Sequence, residues 1–336
     1  MSNELLIQIK DLVTQFKLDD GVLTAVDHVS FDIYKGETLG LVGESGCGKS
    51  VTAFSLLNLI APPGKVVNGE IFFEGEDILK KSKREMRMFR GGKVSMVFQE
   101  PMTSLNPVFT IGNQIDEVIR IHQRVKAKES KERSIGLLKL VNIPLPEQRY
   151  AEYPHQLSGG MRQRVMIAMA LACNPMLLIC DEPTTALDVT VQAQVLKLIN
   201  KLKRQMNMSI MLITHDLAVI SEIADRVIIM YAGQMVEEAK ERDIFTAPLH
   251  PYTEALLRSI PSVSKDGNNF GSGSMEDLYM IKGMVPNLLE KHSGCLFAPR
   301  CDYARKKCHE IEPELRMYGN SKVRCHKYED GWEACE

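Results

Sequence analysis

The sequence predicts an α/β fold with an antiparallel β subdomain, an inserted α-helical subdomain and a small Cys-rich C-terminal extension. Three patterns predict it. Residues 39–42, 177–180, 210–213 and 227–230 are continuous apolar runs, the character of central strands covered on both faces. Residues 5–16 and 24–34 alternate apolar and polar side chains around Asp19-Asp20-Gly21, as a half-buried antiparallel pair does. From Gln99 to about residue 158 the spacing turns helical, with Ile111, Ile115, Val118 and Ile119 on one stripe and Ile135, Leu137, Leu138 and Val141 on another.

Gly-rich, polar residues 261–274 predict a linker between a unit of residues 1–260, its helical part at about 100–160, and a second unit of residues 275–336. No solenoid period is visible, so a single such unit is expected before the linker. Lys and Arg total 41 against 43 Asp and Glu, so no overall positive field points to nucleic acid, and no nucleic-acid partner is expected. The longest apolar run, residues 165–173, is half the roughly 18 residues that suggest a membrane span. The start Met-Ser-Asn-Glu lacks the basic and apolar regions of a secretory signal, which argues for the cytoplasm and reduced thiols. The cysteines are uneven: Cys47, Cys173 and Cys180 are scattered, whereas Cys295, Cys301, Cys308, Cys325 and Cys335 crowd the end.

The first apolar run leads into Gly43-Glu44-Ser45-Gly46-Cys47-Gly48-Lys49-Ser50, which fits G-x-x-x-x-G-K-S/T, and Val51 then opens a helix-like stretch. Glycines let backbone N–H groups close around phosphate oxygens while the helix presents its positive end. Lys49 is expected on the β- and γ-phosphates of ATP, and Ser50 on Mg²⁺. The second run delivers Asp181-Glu182 to the carboxyl edge of the sheet, where ligands of open α/β folds bind. Asp181 suits Mg²⁺ and Glu182 suits orienting or deprotonating the attacking water, although two solvated acids before Pro183 would read the same way alone. A third run ends at Thr214-His215-Asp216, bringing an imidazole to the same edge.

Together these residues resemble the ATP-binding cassette, the nucleotide-hydrolysing subunit of ABC transporters, over residues 5 to about 260. The resemblance implies a P-loop nucleotide-hydrolysing core of ABC type. It extends to Gln99 (Q-loop, a further Mg²⁺ contact), Leu157-Ser158-Gly159-Gly160 (signature), Ala186-Leu187-Asp188 (D-loop) and His215 (switch histidine), all in family order. Phe16 falls where the family stacks an aromatic on adenine; by itself it reads as strand core. Met161 stands where the commonest signature has Gln. Cys47 replaces a more usual Ser, as a reactive thiol or a buried inert one. By resemblance, Ser158, Gly159 and Gly160 contact ATP held by a partner cassette, so two cassettes sandwich two nucleotides.

Glu100 to Pro107 and His250-Pro251-Tyr252-Thr253 resemble the branch that imports dipeptides, oligopeptides and nickel, and the tail around 281–301 matches its peptide importers especially. The implied partners are a paralogous second cassette, two membrane-spanning permease subunits and, indirectly, an extracytoplasmic peptide-binding protein, with this chain peripheral on the cytoplasmic membrane face. Four thiolates at Cys295, Cys301, Cys308 and Cys325 suit Zn²⁺ or an iron-sulfur cluster. Some relatives with this pattern carry a 4Fe-4S cluster, which the resemblance makes the first choice. His309 and His326 adjoin two of these cysteines and could substitute, while Cys335 is expected to be free. Because the catalytic motifs lie across the linker, losing the cluster is expected to loosen the tail more than it disturbs nucleotide binding. Rival readings are a nucleic-acid-clamping cassette, a nickel importer, and a redox or iron sensor.

Overall fold

The computed structural model describes residues 4–99, 104–185, 187–260, 280–290, 292–329 and 332. The predicted linker at 261–274, Ala186, residues 100–103 and Cys335 lie outside them.

Strands β1 (Leu5–Leu18) and β2 (Gly21–Tyr34) form the expected hairpin, with Leu18 opposite Gly21 across the Asp19-Asp20 turn. On its other edge β1 pairs with β4 (Gly64–Phe73), followed by the short β5 (Glu76–Asp77), in the order β2-β1-β4-β5. Ile7, Ile9 and Leu12 pack with Val26, Val29, Phe31, Ile33 and Ile71 to bury one face of this sheet.

The larger sheet runs β11 (Arg316–Tyr318), β12 (Ser321–Val323), β10 (Gln234–Lys240), β9 (Arg226–Tyr231), β3 (Thr38–Val42), β8 (Ser209–Thr214), β7 (Leu177–Asp181), β6 (Val94–Val97). From β9 to β6 the strands are parallel. Every residue of β3, β7 and β8 is buried, which explains their unbroken apolar runs. Because β3, β8 and β7 are neighbours, the residues after their carboxyl ends share one edge.

The helical subdomain contains α3 (Ile111–Gln123), α4 (Ala127–Leu140) and α5 (Pro146–Tyr150). Ile111, Ile115 and Ile119 are buried as expected. Leu138 and Val141 of the second predicted stripe are buried and Ile135 and Leu137 are half-buried, but the inner face of α4 also buries Ser130 and Ser134. The small serines let α4 sit against the buried Asp116, whose carboxylate accepts from Ser134 and from Tyr150 Oη. Helix α6 (Gly159–Leu171) returns the chain to the core, and α7 (Val189–Met206) follows β7.

The C-terminal stretch joins the larger sheet. Strand β12 pairs antiparallel with β10, and Phe297 is buried in the same core as Tyr231 and Tyr252 of the preceding unit. Among the described residues no helix is long and apolar enough to cross a membrane.

Candidate active site

The loop from Gly43 to Gly48 links β3 to α1 (Lys49–Leu56). Gly48 caps α1 at φ 99°, and a Cβ there would lie 2.2 Å from the Ala25 carbonyl, so only glycine fits without displacement. Lys49 is buried and donates from Nζ to the carbonyls of Gly43 (2.7 Å) and Glu44 (2.9 Å), so the ammonium is already held inside the loop. Ser50 Oγ donates to Asp181 Oδ1 at 2.9 Å, joining the first helical turn to the end of β7. Burial raises the Asp181 pKa against the lowering effect of Ser50; a buried carboxylate beside a hydroxyl is a donor pair suited to a hard cation. Cys47 is 1% exposed and burial pushes its thiol pKa up, so the inert reading of this thiol is the one its surroundings favour.

Glu182 takes a left-handed backbone conformation (φ 44°) just beyond β7, and its carboxylate gathers three partners. Gln99 Nε2 donates to Oε2 at 2.9 Å and Thr185 Oγ1 donates to Oε2 at 3.0 Å. His215 Nδ1 lies 3.1 Å from Oε1, and since a carboxylate only accepts, Nδ1 carries the proton. Burial opposes ionisation of Glu182, but the His215 and Thr185 hydrogen bonds outweigh it and hold the group below the usual carboxylate range.

A cavity of about 420 Å³ is lined by residues including Phe16, Ser45, Gly46, Lys49, Gln99 and Glu182. Gly48, Ser50 and Val51 also border it. Phe16 is half-buried at this cavity, where a ring face is available, and Gly64 passes so close that a Cβ would lie 2.4 Å from the ring. The structure does not bring the signature or D-loop residues to this cavity. Ser158 caps α6, accepting from the Met161 N–H at 3.4 Å, and Asp188 caps α7, accepting from the Val191 N–H at 2.9 Å. Gly160 lets these helix starts approach, since a Cβ there would meet Val191 at 2.8 Å. Gly159 packs by Leu187.

The sequence of residues 26–185 matches the profile of the family described as ABC transporter, and residues 236–308 match that described as oligopeptide/dipeptide transporter, C-terminal region. The dipeptide transport ATP-binding protein DppD of Haemophilus influenzae is 49% identical over 96% of this chain and 95% of its own. The chain belongs to the ABC transporter family. The oligopeptide transport ATP-binding protein AppD of Bacillus subtilis is 51% identical to the cassette over 97% of each chain. A solved dimeric ATP-binding cassette in a post-hydrolysis state, bound to ADP and phosphate, is 28% identical with a TM-score of 0.64, covering 70% of this cassette and 99% of that chain.

Three contacts of the cassette's site escape a sequence reading. Thr185 is one, although a hydroxyl three residues beyond a strand-end carboxylate is a signal that could have found it. The others meet at Glu44. Its N–H donates to Tyr252 Oη at 2.9 Å, and its carboxylate receives both Nη atoms of Arg300, at 2.7 and 3.0 Å. The tail therefore touches the phosphate loop directly. The His250-to-Thr253 segment has a structural role: Glu237 accepts from the N–H groups of Leu249 and His250, which sets the helix Pro251–Arg258 under the loop.

Cys295, Cys301, Cys308 and Cys325 line one small cavity of about 20 Å³, with Phe297 and Pro251 among its apolar walls. Against the upward push of burial, backbone N–H groups lower the thiol pKa values, those of Phe297 and Ala298 at Cys295, that of Tyr303 at Cys301 and that of Lys327 at Cys325. Burial, then the neighbouring thiols, push the pKa of Cys301 up to about 11 and of Cys325 up to about 12. His326 also borders this cavity, but its Nε2 lies 2.8 Å from the Ile311 carbonyl, a contact that gives the ring a structural task. Among the described residues no group of three or more His, Cys, Asp or Glu side chains is disposed to hold a single metal ion.

Proposed function

We propose that the chain is the ATP-hydrolysing subunit of a membrane importer of dipeptides or oligopeptides, working from the cytoplasmic face. The observation that carries this reading is the single cavity bordered by Lys49, Ser50, Gln99 and Glu182, with Asp181 behind Ser50. The peptide cargo rests on the printed names of the relatives and on the match of residues 236–308. Nickel is the alternative cargo. Uptake of a labelled dipeptide, competed by unlabelled peptide and not by Ni²⁺, in membranes carrying the complete importer is the expected result; the reverse would replace the assignment.

In this reading the loop N–H groups and Lys49 bind the phosphates, Phe16 stacks on the base, and Ser50, Asp181 and Gln99 hold Mg²⁺. Mg²⁺ held by these residues would supply positive charge to offset that of the phosphates. Glu182 orients the attacking water and accepts its proton, while His215 fixes the carboxylate and Gln99 reports the occupied site to the helical subdomain. Lys49 exchanges its two carbonyl partners for phosphate oxygens on binding. Ser158, Gly159, Gly160 and Asp188 serve the site of a partner cassette, a paralogue, while two permease subunits receive the motion and a peptide-binding protein delivers cargo. The isolated chain is then expected to hydrolyse ATP slowly, at a rate per chain that rises with protein concentration. Full turnover that is independent of concentration in the purified chain would exclude the shared site.

The four tail thiols are read as ligands of a 4Fe-4S cluster, with zinc as the alternative. The common cavity supports this, together with backbone N–H groups that favour the ionised thiol at three of the cysteines. Bound there, a cluster supplies covalent cross-links to a segment with little apolar core of its own. Protein purified without oxygen is expected to be brown with about four iron and four sulfide per chain. Serine at any of the four positions removes the colour and serine at Cys335 does not. A colourless preparation with one tightly held zinc would substitute the zinc site, and a metal-free one would leave four free thiols.

A further inference from the structure

We propose that Arg300 is a positioning residue for the phosphate loop: it neutralises Glu44 and fixes its backbone, so that the Cys-rich extension sets the affinity of the site for ATP. This rests on the reading of the cavity as an ATP site. Glu44 places a carboxylate in a segment that cradles polyanions, where an uncompensated negative charge opposes binding within a Debye length. Arg300 removes that penalty through a two-pronged pair, Nη1 to Oε2 at 2.7 Å and Nη2 to Oε1 at 3.0 Å.

Arg300 is itself immobilised. Its side chain is 5% exposed, Nε donates to the Lys282 carbonyl at 3.0 Å, and Nη1 donates to Tyr231 Oη at 3.3 Å. Glu44 passes the restraint on, because its N–H is held by Tyr252 and its carbonyl by Lys49. The other end of the chain of contacts lies between two of the clustered cysteines. Arg300 ends the tight turn Ala298–Arg300, in which the Ala298 N–H donates to the Cys295 carbonyl (3.0 Å) and the Cys301 N–H to the Ala298 carbonyl (3.2 Å). A shift of the Cys295 or Cys301 backbone is therefore passed to the turn that carries Arg300, and a shift of the guanidinium unpairs Glu44.

The test uses the full chain, with ATP and ADP affinities measured by equilibrium dialysis at low and high salt and thermal melting recorded alongside. Arg300→Ala is expected to weaken ATP binding about tenfold, ADP less, with the loss shrinking at high salt. The double variant Arg300→Ala with Glu44→Gln is expected to regain most of that affinity, because the carboxylate left unpaired is then gone. A merely structural Arg300 predicts the opposite, a double variant as weak as the single one, and that result overturns the proposal. So does an Arg300→Ala chain that binds ATP as the wild type does. Should Arg300→Ala not fold, Arg300→Gln keeps length and hydrogen bonding without charge and carries the same expectations. A wild-type chain that binds no ATP would instead overturn the assignment of the cavity.

Discussion

Glu182→Gln in both cassettes of the assembled importer is expected to retain ATP binding while steady-state hydrolysis falls about 10²- to 10⁴-fold, the usual contribution of a positioned base. The substitution keeps the shape of the side chain and one acceptor oxygen, enough for Thr185 and Gln99 on one side or for His215 on the other, and it touches neither Lys49 nor the Ser50–Asp181 pair. What it removes is the basic oxygen. The His215 and Thr185 hydrogen bonds hold that carboxylate ionised at the cavity wall, so its oxygens are free of protons at neutral pH. The phosphates lose a nearby negative charge as well, so affinity should not fall. Parallel measurement of nucleotide binding and phosphate release checks this; near-normal release from the doubly substituted assembly would remove Glu182 from its assigned role.

Lys49→Ala is expected to lose ATP binding itself, by about 2 to 3 kcal/mol for a charged hydrogen-bond donor, or on the order of a hundredfold in affinity. Lys49 is the buried cation of the loop, and its removal also leaves the carbonyls of Gly43 and Glu44 without their donor. The stabilisation that ATP confers on thermal unfolding in the wild type should vanish in the variant. Unchanged affinity would show that the phosphates bind elsewhere.

The central strands were legible because burial on both faces demands apolar residues at every position, as in β3, β7 and β8. Strand β10 was not, because Gln234, Glu237 and Glu238 interrupt its pattern. All three are buried and satisfied, Glu237 by two backbone N–H groups and Glu238 by Arg226 and Lys322. A sequence reading takes a charge as exposed unless its partner is known. The same blindness hid the inner face of α4, where Ser130 and Ser134 serve as close-packing small residues against Asp116. Strand β4 was missed for the opposite reason: much of its first half is exposed and carries no alternation.

At the site, the sequence by itself determined the chemistry of each strand end: the glycine loop with Lys49 and Ser50, the paired acids at 181 and 182, and the imidazole at 215. Those identities follow from local order, because a strand followed by a turn must deliver its next residues to the sheet edge. The tertiary structure alone decided which groups share a partner. It set β3, β8 and β7 side by side, so that His215 and Gln99 both reach Glu182. It also turned the capped starts of α6 and α7 away from the cavity, so Ser158 and Asp188 lie outside it. Most of all, it brought Tyr252 and Arg300 onto Glu44 across 208 and 256 residues of chain. Pairings at that separation depend on how sheet and tail pack, and no pattern of residue types within a local window encodes them.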